Sequence, residues 1–272
     1  MSRFVHNIDD TAQRNNSLLC IGIDPWRPNL PIQDLSSFVV SIVEATSDLV
    51  CAFKPNIAFF EAEGKIGLEA LENVIHAAKV RNVPVILDAK RSDIGNSSRA
   101  YGKAIFEYFQ ADAVTVNPYQ GSDSIEPFLS YGEKGIFVLC KTSNIGSNDF
   151  QSLISKDGLA VYQHVALKSK EWNAQGNVGL VVGATHPQEI TEVRAICPEM
   201  PILIPGLGAQ GGDLESTVRA SLNPQGFGGI FNASRSIIYA GSGGDYINEV
   251  RQSAINMKTM INGVRASMGH NW

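Results

Sequence analysis

The sequence predicts an α/β protein built as one (β/α)8 barrel, the TIM-barrel class, with residues 1–272 as a single domain. Three observations carry this expectation. Eight short apolar runs rich in strand formers alternate with stretches of helical periodicity. Their connections are short, and no linker, low-complexity tract or shift in composition divides the chain. Charged and polar residues gather where the apolar runs stop, the ends at which barrels of this class carry their chemistry. A doubly wound open sheet is the alternative, and the absence of a GxGxxG turn after the first strand counts against it.

The first strand is read at residues 18–23 and is broken by Asp24-Pro25. A helix over about residues 34–48 follows, with Phe38, Val39, Ile42, Val43 and Leu49 on one face. The second strand, residues 49–53, runs into Lys54-Pro55, and the next helix buries Leu68, Leu71, Ile75 and Ala78. The third strand is residues 85–88. Ser97 or Ser98 is expected to cap the helix after it, whose Tyr101, Ile105, Tyr108 and Phe109 form an apolar face. Residues 111–116 make the fourth strand and residues 136–140 the fifth, which enters a polar loop through Lys141, Ser143 and Gly146. A helix over about residues 157–172 leads to the sixth strand at 178–182. There Thr185 is expected to cap the following helix and Pro187 to open it. The seventh and eighth strands are residues 202–204 and 229–231. Tyr246, Val250, Ala254, Met257, Ile261 and Val264 mark a C-terminal helix.

Composition narrows the function. The chain is 44% hydrophobic and 18% charged, ordinary for a globular protein, and its net charge of -5 gives no basic footprint for nucleic acid or an anionic membrane. Any phosphate grip must therefore be local. The four cysteines form no CxxC pair, which suits reduced thiols in a reducing compartment, and no signal core or transmembrane run is evident. A cytoplasmic, soluble protein is expected. The five histidines show no metal-ligand spacing, so no dedicated metal site is expected.

The chemistry-bearing stretch is Asp88-Ala-Lys90-Arg-Ser-Asp93 at the end of the third strand. Strand side chains alternate, so Asp88 and Lys90 should share a side, with Asp93 a short turn away; two acids then bracket one ammonium. Charges at the end of an apolar strand point to a paired constellation in a site. A second signal is the glycine-rich run from Gly206 through Gln210 to Asp213, followed after the eighth strand by Asn232-Ala-Ser-Arg235. Loops after strands seven and eight are a frequent barrel phosphate site, and a guanidinium suits phosphate, so Arg235 is the expected clamp.

The string from Asp88 to Ser97 resembles the DxKxxDIxxT motif of the orotidine 5'-phosphate decarboxylases. Phe53-Lys-Pro-Asn-Ile-Ala-Phe-Phe60 and Pro205-Gly-Leu-Gly-Ala-Gln-Gly-Gly212 are similar to the longer bacterial branch of that family, and the likeness runs from Asp24 to about Tyr239. The resemblance implies decarboxylation of orotidine 5'-monophosphate to uridine 5'-monophosphate and CO2, the last step of pyrimidine nucleotide synthesis, without a cofactor. It implies a catalytic set of Lys54, Asp88, Lys90 and Asp93, with Lys90 as proton donor. Asp24 and Lys54 would meet the ribose and Ser143 the pyrimidine edge. Gln210 would bridge pyrimidine and phosphate, Arg235 would bind phosphate, and Pro205 would line the substrate. Asp93, Ile94 and Ser97 would enter the partner subunit's site, which implies a homodimer. Ser97 stands where the motif has threonine, and Ser234 where many relatives have glycine. Magnesium-dependent barrel lyases of the hexulose-phosphate synthase kind share a similar DxK, but look to place a carboxylate ligand on strand two, where Lys54 would repel the cation.

Overall fold

The computed structural model describes residues 2–207 and 213–272. Its eight strands are β1 (Leu19–Ile23), β2 (Ala52–Pro55), β3 (Ile86–Arg91), β4 (Ala113–Val116), β5 (Gly135–Lys141), β6 (Val178–Val182), β7 (Ile202–Pro205) and β8 (Gly229–Ala233). They form one sheet in the order β2-β1-β8-β7-β6-β5-β4-β3, and every pairing is parallel. Parallel bridges Phe53↔Val85 and Asn56↔Asp88 join β2 to β3 and close the ring into the expected (β/α)8 barrel.

The helices are α1 (Arg3–Asn15), α2 (Leu35–Thr46), α3 (Ile57–Glu61), α4 (Gly64–Val80), α5 (Gly95–Lys103), α6 (Ser122–Leu129), α7 (Val161–Trp172), α8 (Pro187–Ile196), α9 (Leu214–Ser221), α10 (Arg235–Ile238) and α11 (Tyr246–Ser267). The longer outer helices bury apolar faces: α2 buries Phe38, Val39, Ile42 and Val43, and α11 buries Tyr246, Val250, Ala254 and Ile261. Helix α1, which the strand-by-strand reading left unassigned, packs at the N-terminal end of the barrel. Its Phe4 ring meets Phe137 edge-on, with centroids 5.8 Å apart, and occupies the space a side chain on Gly135 would need.

Several local expectations are corrected. Strands β2, β3, β5, β7 and β8 run further toward their C-terminal ends than hydropathy suggested, so Lys54, Lys90, Lys141 and Asn232 lie within the strands. Leu49 lies between α2 and β2 and belongs to neither; β4 begins at Ala113. Ser97 and Ser98 lie inside α5, whose N-cap is Ile94 without a side-chain bond, because the turn after Arg91 brings the chain into helix earlier. The apolar face expected beyond it breaks at Tyr108, 65% exposed, where the helix widens into a π turn over Ala104–Tyr108. Helix α7 begins at Val161; the residues before it form a turn tied by the Ile154↔Ala160 bridge. His186, not Thr185, is the N-cap of α8, and Pro187 opens the helix as expected.

Candidate active site

The site grows out of the C-terminal ends of β1, β2, β3 and β8. On β2, alternation buries Lys54, only 4% exposed, and its Nζ donates to Asp88 Oδ2 at 2.9 Å. Asp88, 8% exposed on β3, accepts at its other oxygen from Lys90 Nζ at 2.6 Å. One carboxylate thus joins two ammonium groups, one buried and one whose side chain is 48% exposed. Lys90 reaches its partner through an irregularity, because its φ of 45° lies in the left-handed region and the register with β4 shifts between Leu87 and Arg91. The expected pairing forms, but through a bulge and not through simple alternation.

Thr115 of β4, absent from the sequence-derived set, completes this cluster. Its hydroxyl is 2% exposed, donates to Asp88 Oδ1 at 2.8 Å, and accepts from the Ala89 and Lys90 backbone N–H groups at 3.0 Å each. A threonine in an apolar strand reads as a strand former, and its partner lies 27 residues away, so local pattern gave no signal.

Charge sets the protonation states. Burial opposes ionisation of Asp88, yet the Lys54 and Lys90 ammonium groups outweigh it and hold the carboxyl well below its ordinary range. Burial likewise works against charge on Lys54, and Asp88 together with Asp24 overcomes it and raises its pKa. Cys20, beneath this array, is pushed up to about 12 by burial, and all four cysteines are buried free thiols. Asp24 follows β1; its Oδ1 is buried without a hydrogen-bond partner among the described residues, while its carbonyl accepts from Tyr239 Oη at 2.9 Å. Such an orphaned acceptor at a barrel mouth is a place for a ligand hydroxyl. Asn232 Oδ1 and Ser234 Oγ, at the end of β8, are similarly unpartnered there. Both crowd Gly22, where any Cβ would fall 2.7 Å from Ser234 Cβ.

The remaining expected residues are distributed around the mouth. Ser143 lies just beyond β5 and rests against Gly183, where a Cβ would stand 2.7 Å away from its own Cβ. Pro205 ends β7. Arg235 is exposed as the first residue of α10, and its guanidinium makes no hydrogen bond to a described residue. Gln210 lies outside the described residues. Asp93 departs from expectation: its Oδ1 accepts from its neighbour Ile94 N at 2.8 Å, and it forms no ion pair with Lys90. Within one chain a single acid, Asp88, holds Lys90. Ile94, 51% exposed, and Ser97 face outward. Among the described residues, no group of three or more His, Cys, Asp or Glu is arranged to hold a metal, and no helix is long and apolar enough to cross a membrane.

A barrel carrying a lysine–carboxylate–lysine array at its strand ends has the architecture of an α/β-barrel enzyme. The chain belongs to the orotidine 5'-phosphate decarboxylase / HUMPS family, whose model matches residues 17–249. It is 49% identical to an orotidine 5'-phosphate decarboxylase of Roseiflexus sp. (strain RS-1), over 95% of this chain and 97% of that one. The Ralstonia pickettii (strain 12J) protein of the same name is also 49% identical, over 97% and 99%. The fold matches Leishmania donovani OMP decarboxylase with a TM-score of 0.86 and 39% identity, covering 97% and 99% of the two chains. The likeness to Leishmania donovani UMP synthase, TM-score 0.88, spans 57% of that longer chain.

Proposed function

We propose that this enzyme decarboxylates orotidine 5'-monophosphate to uridine 5'-monophosphate and CO2 in pyrimidine nucleotide synthesis, with no cofactor and with Lys90 as proton donor. The observation that carries the reading is the Lys54–Asp88–Lys90 array, in which Asp88 accepts from both ammonium groups. The names of the relatives supply the substrate class. Loss of CO2 leaves the bonding pair on the ring carbon; an ammonium nearby stabilises that charge and then transfers a proton to it. Lys90 is the more exposed of the two lysines and is the one proposed for this step, with Lys54 and Asp24 on the ribose. Asp88, held ionised, repels the substrate carboxylate until CO2 departs. Ser143 is assigned to the pyrimidine edge, Pro205 to the substrate wall, and Gln210 and Arg235 to the phosphate, whose binding offsets that repulsion.

The protein works as a homodimer in this reading, with Asp93, Ile94 and Ser97 completing the partner's site. The absence of an Asp93–Lys90 ion pair within the chain supports it, as do exposed apolar side chains after β3, β4 and β5, neighbours in the sheet: Ile94, Tyr101, Tyr119, Ile145 and Phe150. The family name also covers a second group, but a lysine at the end of β2 favours the decarboxylase over a lyase that would hold a divalent cation there. The test is the absorbance of orotidine 5'-monophosphate with purified protein, before and after exhaustive EDTA dialysis. Turnover unaffected by chelation is expected. Loss with recovery on adding Mg2+, or no turnover at all, would overturn the reading.

A further inference from the structure

We propose that Thr115 is a positioning residue for the proton donor: its hydroxyl fixes Asp88 and the left-handed Lys90 backbone as one unit. This rests on the decarboxylase reading above. A non-glycine residue with φ near 45° is sterically disfavoured and persists only where its surroundings over-determine it. Here the register shift in β3 takes the Ala89 and Lys90 N–H groups out of the regular ladder, and both point at one oxygen, Thr115 Oγ1. With both acceptor directions of that oxygen filled by N–H groups, its own proton has one available direction, toward Asp88 Oδ1 at 2.8 Å. The same Oδ1 accepts from Lys90 Nζ, so Thr115 braces the ammonium from both sides, through the backbone it springs from and through the carboxylate it is bonded to.

Thr115 is buried, 2% exposed, behind the Asp88–Lys90 pair it is bonded to. Its effect should fall on the chemical step, where geometry must be held to a fraction of an ångström, and leave nucleotide affinity alone.

The experiment compares Thr115→Val, which keeps the shape and removes the hydroxyl, with Thr115→Ser, which keeps the hydroxyl. For each, kcat for orotidine 5'-monophosphate and Kd for uridine 5'-monophosphate are measured beside wild type. Removing a hydrogen bond to a charged group should lower kcat of the valine variant by ~10–100-fold. Its Kd should stay within about threefold of wild type, and serine should restore kcat to within about threefold. Wild-type kcat in the valine variant, equal losses in kcat and affinity, or a serine variant as slow as valine would each overturn the proposal. If valine prevents folding, Thr115→Cys fills the site with a weaker donor, and an intermediate kcat is expected; a wild-type value overturns it. Absence of turnover in wild type itself would instead overturn the decarboxylase reading.

Discussion

Asp88 occupies a place where burial alone would neutralise a carboxylic acid, and two ammonium groups keep it charged. Asp9 on α1 shows the opposite outcome: burial, reinforced by Asp10 and only partly opposed by His6, raises its pKa to about 6. The folded protein therefore keeps that proton up to about pH 6, while the unfolded chain releases it near the ordinary aspartate value of 3.8, so this group costs stability as pH rises between those values. Asp9→Asn removes the penalty. In thermal melts the variant should match wild type near pH 4 and exceed it above pH 6, by up to ~2 kcal/mol after allowing for partial exposure. A difference independent of pH would refute this. Arg235 makes a separate prediction. As phosphate ligand, its replacement by alanine should weaken capture of the nucleotide by ~10–100-fold and of the dephosphorylated nucleoside far less. Equal losses on both would remove Arg235 from the phosphate.

Among the elements, the loop after β5 has an unusual anchor. Lys141 is fully buried, has no carboxylate within ion-pair distance among the described residues, and donates to Ser147 Oγ at 3.1 Å and to Asn148 Oδ1 and Ser152 Oγ at 2.8 Å. All three protons of one ammonium are thus spent on holding the loop that carries Ser143. Lys141→Met should loosen this loop and weaken uridine 5'-monophosphate binding by ~10-fold, with little effect on inhibition by ribose 5-phosphate, which lacks the pyrimidine. Parallel losses for both ligands would show that the loop does not select for the base. The eight strands were legible because each contains a short apolar run bounded by polar residues, glycine or proline. Their C-terminal limits were not, because there the strands continue into Lys54, Lys90, Lys141 and Asn232, polar side chains that hydropathy assigns to loops. Helix α1 could have been found from the spacing of Phe4, Val5, Ile8 and Ala12. The pairing of Asp88 with Lys90 was readable from two letters one residue apart; the bulge that achieves it is hydrogen-bonded to Thr115 from another strand, which no local pattern contains.

For the whole molecule, barrel closure matters to the candidate site, since the Asn56↔Asp88 bridge joins the first and last strands of the sheet order at Asp88. The proposed shared site would add a second level of assembly. If Asp93 serves the partner, mixing inactive Lys90→Ala and Asp93→Ala proteins should recover activity, approaching a quarter of wild type at equal random mixing, because half the dimers then hold one unmutated site of two. No recovery despite demonstrated subunit exchange would mean that each barrel works alone. The role of Lys90 is tested most directly by turnover of orotidine 5'-monophosphate in Lys90→Ala and Lys90→Arg, read beside their affinity for uridine 5'-monophosphate. Arginine keeps the charge but is a poor acid with a planar head, so both variants should lose more than ~1,000-fold in kcat while still binding the product. Near-normal turnover in Lys90→Ala would contradict the mechanism and move proton donation to Lys54 or water.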